Sequence, residues 1–155
     1  MKNLSKSKYT TYCQCPKALW LRIYKPEEQI IDPSVQARFE AGSEVGELAK
    51  QLFGKSEDVT SYMQISDGTQ RLDLKAMIVK TQDCLNRNVD NIAEAAFSFD
   101  DCYCAVDILH KTEEGYAIYE VKGSTDLSHL EVYAQDVAYQ KYVLTDCRIN
   151  VTGTY

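Results

Sequence analysis

The chain has 155 residues, a length suited to one domain with its own core, and its 45% hydrophobic and 26% charged content is ordinary for a globular protein. No apolar run is long enough to span a membrane, and the first eight residues lack a signal-peptide apolar segment, so a cytoplasmic location without membrane partners is expected. A formal net charge of −6 argues against broad nucleic-acid affinity.

The charge is uneven along the chain. Residues 1–25 hold Lys2, Lys6, Lys8, Lys17, Arg22 and Lys25 and no acidic residue, which leaves −12 on the remainder. Such a basic segment can track phosphates, with Lys6, Lys8, Lys17 and Arg22 as candidate contacts. The alternative is an exposed basic helix face with no ligand. Residues 5–24 read as a helix capped by Ser5 or Ser7, with Tyr9, Tyr12, Cys13, Leu19, Trp20 and Ile23 as an apolar stripe interrupted at Pro16. Residues 26–33 hold Pro26 and Pro33 and read as a connection.

A second helix is expected over 34–53, capped by Ser34 and closed by Gly54, with Val35, Phe39, Val45, Leu48, Ala49 and Leu52 at helical spacing. Residues 55–68 look irregular, with a short strand around Val59 to Ile65. A third helix runs from Thr69 to Asn88, with Leu72, Leu74, Ala76, Ile78, Val79 and Leu85 on its apolar side. Ile92 to Phe99 reads as the first core strand, and Asp100-Asp101 as a hairpin turn. Cys102 to His110 is the second strand and Gly115 to Val121 the third, joined by a polar turn. A fourth helix spans about His129 to Thr145, where Tyr133, Val137, Gln140 and Leu144 recur along one side with Asp136 beside them. Ile149 to Thr152 is the last strand. The order is α-β-β-β-α-β with extra N-terminal helices, an α/β domain with a mixed sheet flanked by helices.

Six cysteines are present, and in a reducing compartment disulfides are not expected. Cys13, Cys15, Cys102 and Cys104 read as packing residues. His110 and His129 lack zinc-site spacing and read as solvent-facing.

The informative stretch is Asp107-Ile108-Leu109 followed by Glu120-Val121-Lys122. Alternation along a strand puts Glu120 and Lys122 on one face. If the loop is Thr112 to Gly115, Lys111 pairs with Tyr116 and Asp107 lies opposite Glu120; a slip of one residue would put Asp107 on the wrong face. Two adjacent carboxylates repel, and a divalent cation relieves that repulsion. Mg²⁺ or Mn²⁺ takes carboxylate and carbonyl oxygens, so Asp107, Glu120 and the Val121 carbonyl form a candidate ligand set, with Lys122 able to orient a water. A Glu and a Lys two apart on a strand also fit a solvated face. Against that, Ala105, Val106, Ile108, Ile118 and Val121 make these strands look central, where charges need partners.

The run Asp107-Ile108-Leu109, then Tyr119-Glu120-Val121-Lys122-Gly123-Ser124-Thr125, resembles the PD-(D/E)XK nuclease signature, and more narrowly its RecB-like branch. That branch includes the iron–sulfur exonucleases of CRISPR adaptation and a bacterial family with an N-terminal RecB-like domain. Ser5-Lys6-Ser7-Lys8-Tyr9, Cys15-Pro16-Lys17-Ala18-Leu19-Trp20-Leu21 and Asp136-Val137-Ala138-Tyr139-Gln140 resemble further segments of it. The resemblance implies a restriction-endonuclease-like fold over residues 1–155, with a basic N-terminal helix (1–25) and a catalytic core (90–155). It implies a metal-dependent DNA nuclease, exonuclease-like, acting on single-stranded or end-bearing duplex DNA. Asp107, Glu120, Lys122 and Gln140 would be catalytic, with Mg²⁺ or Mn²⁺ on Asp107, Glu120 and Val121. The family's metal-ligating His falls at Gly46; Glu47, or Glu44, is the candidate substitute. Leu144 stands where the family has Tyr. Cys15 matches a cluster ligand, but the C-terminal cysteines that would complete a [4Fe–4S] cluster are missing, so none is expected and a fragment of a longer protein is suggested. The other reading is a nucleic-acid-binding or assembly module that keeps the fold without efficient catalysis.

Overall fold

In the computed structural model, the residues described are 4–30, 42, 44–66, 68–124 and 130–155. The N-terminal part holds a two-residue strand β1 (Leu4–Ser5), helix α1 (Lys6–Gln14), helix α2 (Pro16–Tyr24) and a 3₁₀ turn (Pro26–Glu28). The helix expected over 5–24 is therefore two. Cys15 is extended (φ −161°, ψ 108°), because the Pro16 ring disfavours a helical residue before it while fitting the first turn of α2. Ser5 caps α1 through its hydroxyl, which accepts from the Lys8 amide.

Residues 44–49 are helical (α3), and Gly54, at φ +84°, turns the chain out of this region. The expected cap Ser34 and the apolar residues Val35 and Phe39 lie outside the described residues. The single strand expected around 59–65 is replaced by β2 (Glu57–Asp58) and β3 (Tyr62–Gln64). β3 pairs with β4 (Gln70–Leu72), so the third helix begins later than expected: α4 is Leu74–Asn86, started by Asp73, whose carboxylate accepts from the Ala76 amide. Asn88, at φ +57°, closes it, and the Val89 amide reaches back to the Cys84 carbonyl.

β5 (Asn91–Phe99), β6 (Cys102–Lys111) and β7 (Tyr116–Tyr119) form an antiparallel meander. Asp100 and Asp101 both take positive φ (44° and 63°), the left-handed pair a two-residue hairpin needs, and Phe99 faces Cys102 across it. The 112–115 loop sets Lys111 opposite Tyr116. Gly115 is required there, since a Cβ would lie 2.2 Å from the Asn150 carbonyl oxygen.

Helix α5 (Leu130–Asp146) then carries the chain to β8 (Val151–Thr154), which lies parallel to β7. The expected last strand begins two residues later than its pattern suggests. Arg148, at φ +64°, and the Ile149 amide, bonded to the Leu144 carbonyl, are spent closing α5.

The sheet order is β2-β5-β6-β7-β8, with β1 parallel to the start of β6 beyond the reach of β7. The molecule is thus α/β, a mixed sheet flanked by helices. Ile92, Ala95, Val106, Leu109 and Ile118 pack with Val143 and Leu144 of α5. β6 and β7 are interior strands, so charged side chains on them are held against packed neighbours. Among the described residues no helix is long and apolar enough to cross a membrane.

Candidate active site

Register brings the two expected carboxylates together. Ile108 faces Tyr119, which leaves Asp107 level with the chain just beyond β7. There the Val121 amide donates to Asp107 Oδ2 at 2.7 Å. β7 ends at Tyr119, so Glu120, Val121 and Lys122 leave the strand expected to hold them, although the Glu120 amide still donates to the Tyr155 carbonyl at 2.9 Å. Lys122 Nζ lies 2.7 Å from Glu120 Oε1 and 2.5 Å from Asp136 Oδ2, and 5.5 Å above the Tyr133 ring. Gln140, fully buried on α5, donates through Nε2 to Glu120 Oε2 at 2.6 Å. Asp136 and Gln140 are four apart, which places them on one face of α5. Glu120, Lys122, Asp136 and Gln140 therefore form one bonded group just beyond the end of β7, beside Asp107 in the middle of β6.

Lys6 joins this group from the other end of the chain. Its ammonium contacts both oxygens of Glu120 at 2.8 Å. The position is fixed by its neighbours: Leu4 pairs beside Cys102, the Tyr139 hydroxyl donates to the Leu4 carbonyl at 2.5 Å, and Tyr9 stacks on Tyr139 with ring centroids 4.9 Å apart. The segment expected to be a basic arm is thus docked at its start, and Lys6 is a site residue rather than a surface contact. Lys8 is half-buried, whereas Lys17 and Arg22 lie exposed on α2, Arg22 donating to the Thr11 hydroxyl at 3.3 Å.

Glu94 is a further carboxylate that the sequence reading passed over. The pairs Ala93–Ile108 and Ala95–Val106 leave it across from Asp107, and its φ of +58° is unusual for a residue inside a strand. It was legible by the criterion applied to Asp107: a charge within Ile92-Ala93-Glu94-Ala95-Ala96-Phe97, an apolar central strand.

Electrostatics separate the carboxylates. Burial, then the nearby Glu120 charge, pushes the Asp107 carboxyl above its ordinary range. Burial, then Asp107, does the same for Glu94. At Glu120 burial acts upward too, but Lys6 and Lys122 outweigh it and hold the carboxyl below its usual range. Burial would lower Lys122, yet its bonds to Asp136 and Glu120 prevail and keep the ammonium charged.

Glu47 does not join the group. Its side chain is 73% exposed and pairs with Lys50 at 2.6 Å, which also holds Asp58 at 2.7 Å. Gly42 nevertheless lies close to Gly123, one residue past Lys122: a Cβ on Gly123 would stand 3.6 Å from Gly42 Cα. Around Gly46 there is open space, with nothing within 4 Å of where a Cβ would be.

Two further expectations need correcting. His110 is half-buried, stacked on Phe53 at 4.2 Å and bonded through Nδ1 to Asn91 at 2.7 Å, because β6 carries it under the 50–54 turn. His129 lies outside the described residues. Cys13 and Cys15 are exposed, set on the outer side of the α1–α2 junction, rather than packed; Cys104 is buried and Cys102 half-buried. Leu144, read on the apolar stripe of α5 where the resembled family has Tyr, is a fully buried core residue, and Tyr142 is exposed.

Among the described residues no three His, Cys, Asp or Glu side chains converge as a metal-holding group. The acceptors gathered here are the carboxylate oxygens of Asp107 and Glu120, the oxygen type suited to a hard cation. Gln140 Oε1 is buried without a hydrogen-bond partner, an acceptor facing a need that nothing within the described chain meets. No family model, no curated protein and no solved structure matches this chain.

Proposed function

We propose that this chain is a metal-dependent nuclease domain of the PD-(D/E)XK, RecB-like kind, with the restriction-endonuclease-like topology, hydrolysing DNA phosphodiester bonds in an exonuclease-like manner. The observation that carries the reading is Glu120 bonded to Lys122 and Gln140 at 2.7 and 2.6 Å just beyond the end of β7, with Asp107 of β6 held beside them by the Val121 amide at 2.7 Å. An idle surface has no reason to hold two carboxylates, one of them pushed upward by burial, against a core. The meander followed by α5 and a parallel β8 agrees with the same reading.

Asp107, Glu120 and the Val121 carbonyl would hold Mg²⁺ or Mn²⁺. Such an ion polarises a phosphoryl oxygen and lowers the pKa of water near it. Lys122, kept charged by Asp136 and Glu120, orients the attacking water and offsets negative charge growing on the phosphorus. Gln140 fixes Glu120 through its nitrogen and presents Oε1 as an acceptor. Lys17 and Arg22, exposed on α2, supply phosphate contacts that position the strand without reading its sequence.

One alternative has specific support: a nucleic-acid-binding or assembly module on the same fold. Gly46 in place of the family's His and the Lys6 ammonium already neutralising Glu120 favour it. Mn²⁺ titration by calorimetry separates the two readings. The nuclease reading expects one site in the wild type, lost in Asp107→Ala. It also expects binding roughly tenfold tighter in Gly46→His, the size of effect single groups carry at metal sites. No saturable Mn²⁺ site in any of the three proteins favours the binding module.

A further inference from the structure

Glu120 has no lone pair left. A carboxylate offers about four acceptor sites. Oε1 is taken by Lys6 at 2.8 Å and Lys122 at 2.7 Å, and Oε2 by Lys6 at 2.8 Å and Gln140 at 2.6 Å. Among the described residues only Lys6 engages both oxygens, and its charge also acts on Asp107 and Glu94, so it sits where it serves all three carboxylates at once. Asp107 is different: among the described residues only Oδ2 is engaged, by the Val121 amide.

We propose that Lys6 is a tethered cation that holds the metal's place, and that a divalent ion can bind Glu120 only by displacing it. This inference rests on the metal-binding reading above. Lys122 and Gln140 each take one oxygen and are held independently of it, Lys122 by Asp136 and Gln140 by its burial on α5, so both can stay when an ion arrives. Lys6 covers both oxygens at once, so any ion held by Glu120 would have to take the place of its ammonium. The side chain of Lys6 is 21% exposed against 5% for Glu120, so the lysine has an open side to withdraw toward, whereas the carboxylate is fixed. Once displaced, the ammonium remains beside the site on a flexible stem, where an incoming phosphate is its natural partner. The device keeps the site charge-balanced without metal and couples the docking of α1 to metal occupancy.

The test is Mn²⁺ affinity, by calorimetry and by Mn²⁺ electron paramagnetic resonance, for wild type, Lys6→Met, Lys6→Arg and Lys25→Met, with folding of each checked by circular dichroism. Lys6→Met removes the competitor and should bind Mn²⁺ roughly tenfold tighter, the lower bound for a lost charge-assisted bond. Lys6→Arg keeps the cation and should stay near wild type. Lys25→Met removes a charge from the same segment away from the site and should change the affinity less than about twofold, as a screened surface charge does. Wild-type binding with an unchanged or weaker affinity in folded Lys6→Met would overturn the proposal and leave the metal-binding reading intact. Absence of Mn²⁺ binding in wild type and Lys6→Met alike would overturn both. Should Lys6→Met not fold, Lys6→Gln replaces it under the same criterion.

Discussion

Asp107→Asn will make the metal-free protein more stable and, under the proposed nuclease function, will remove metal-dependent cleavage. Asp107 sits among packed strands with its carboxyl pushed upward, first by burial and then by Glu120. A raised folded-state pKa means that ionising the group costs more in the folded chain than in the unfolded one. Its contribution to stability is therefore fully present below the unfolded pKa and is lost as pH rises through the folded pKa. At neutral pH the wild type carries that loss. An amide at this position keeps an oxygen for the Val121 amide, carries no charge and abolishes the repulsion. A gain of about 1 kcal/mol is the usual size when a destabilising active-site group is neutralised. Thermal melts across pH read it out: the difference between variant and wild type should grow as pH rises through the raised Asp107 pKa and then level off. A variant less stable than wild type at neutral pH would show that Asp107 is a structural acceptor rather than a charge held under strain.

Glu120→Ala will do the opposite. Glu120 is the shared partner of Lys6, Lys122 and Gln140, and removing it strands two ammonium groups and an amide beside one another. Breaking one side of a buried pair typically costs 3–5 kcal/mol; here both lysines keep some solvent contact, so a loss of about 3 kcal/mol is expected. Lys122 retains Asp136, and the larger structural effect should fall on Lys6 and the docking of α1. Urea denaturation followed by circular dichroism measures the loss. Hydrogen exchange should show the α1 amides exchanging faster while those of β5 and β6 hold. Two neighbouring carboxylates, one destabilising and one stabilising, are what a site built for a cation predicts; two solvated surface carboxylates would each change stability by less than about 0.5 kcal/mol.

Much of this was legible in the sequence because it is local. Runs of apolar, β-branched and aromatic residues marked β5 and β6. The Asp100-Asp101 turn and the four-residue loop before Tyr116 fixed the register, and with it the meeting of Asp107 and Glu120. Gln140 on an apolar stripe signalled a buried amide in need of partners, and the structure places it on Glu120. The break at Cys15 was also local, written in Pro16, but an apolar stripe that continued past it concealed two helices as one. The start of β8 went astray because residues 148–149 close α5, and β-branched composition does not reveal that use.

What could not be read was tertiary. Lys6 reaches Glu120, 114 positions away, only because β1 pairs beside Cys102 and Tyr9 stacks on Tyr139, and no spacing rule encodes either contact. Charge bookkeeping assigned Lys6 to phosphate when its first partner is a carboxylate. Glu47, adjacent in sequence to the expected ligand position, turns toward Lys50 instead, since one residue along a helix is about 100° around it.

Asp107, Glu120 and Lys122 are proposed to form one metal-dependent hydrolytic centre. End-labelled single- and double-stranded DNA incubated with Mn²⁺ or Mg²⁺ tests it, beside Asp107→Asn, Glu120→Gln and Lys122→Met. The account predicts cleavage that chelator stops and that falls at least about a thousandfold in each variant, as expected when residues act as one catalytic unit. Cleavage that persists in the three variants, or folded wild type that binds Mn²⁺ but cuts neither substrate, would contradict it.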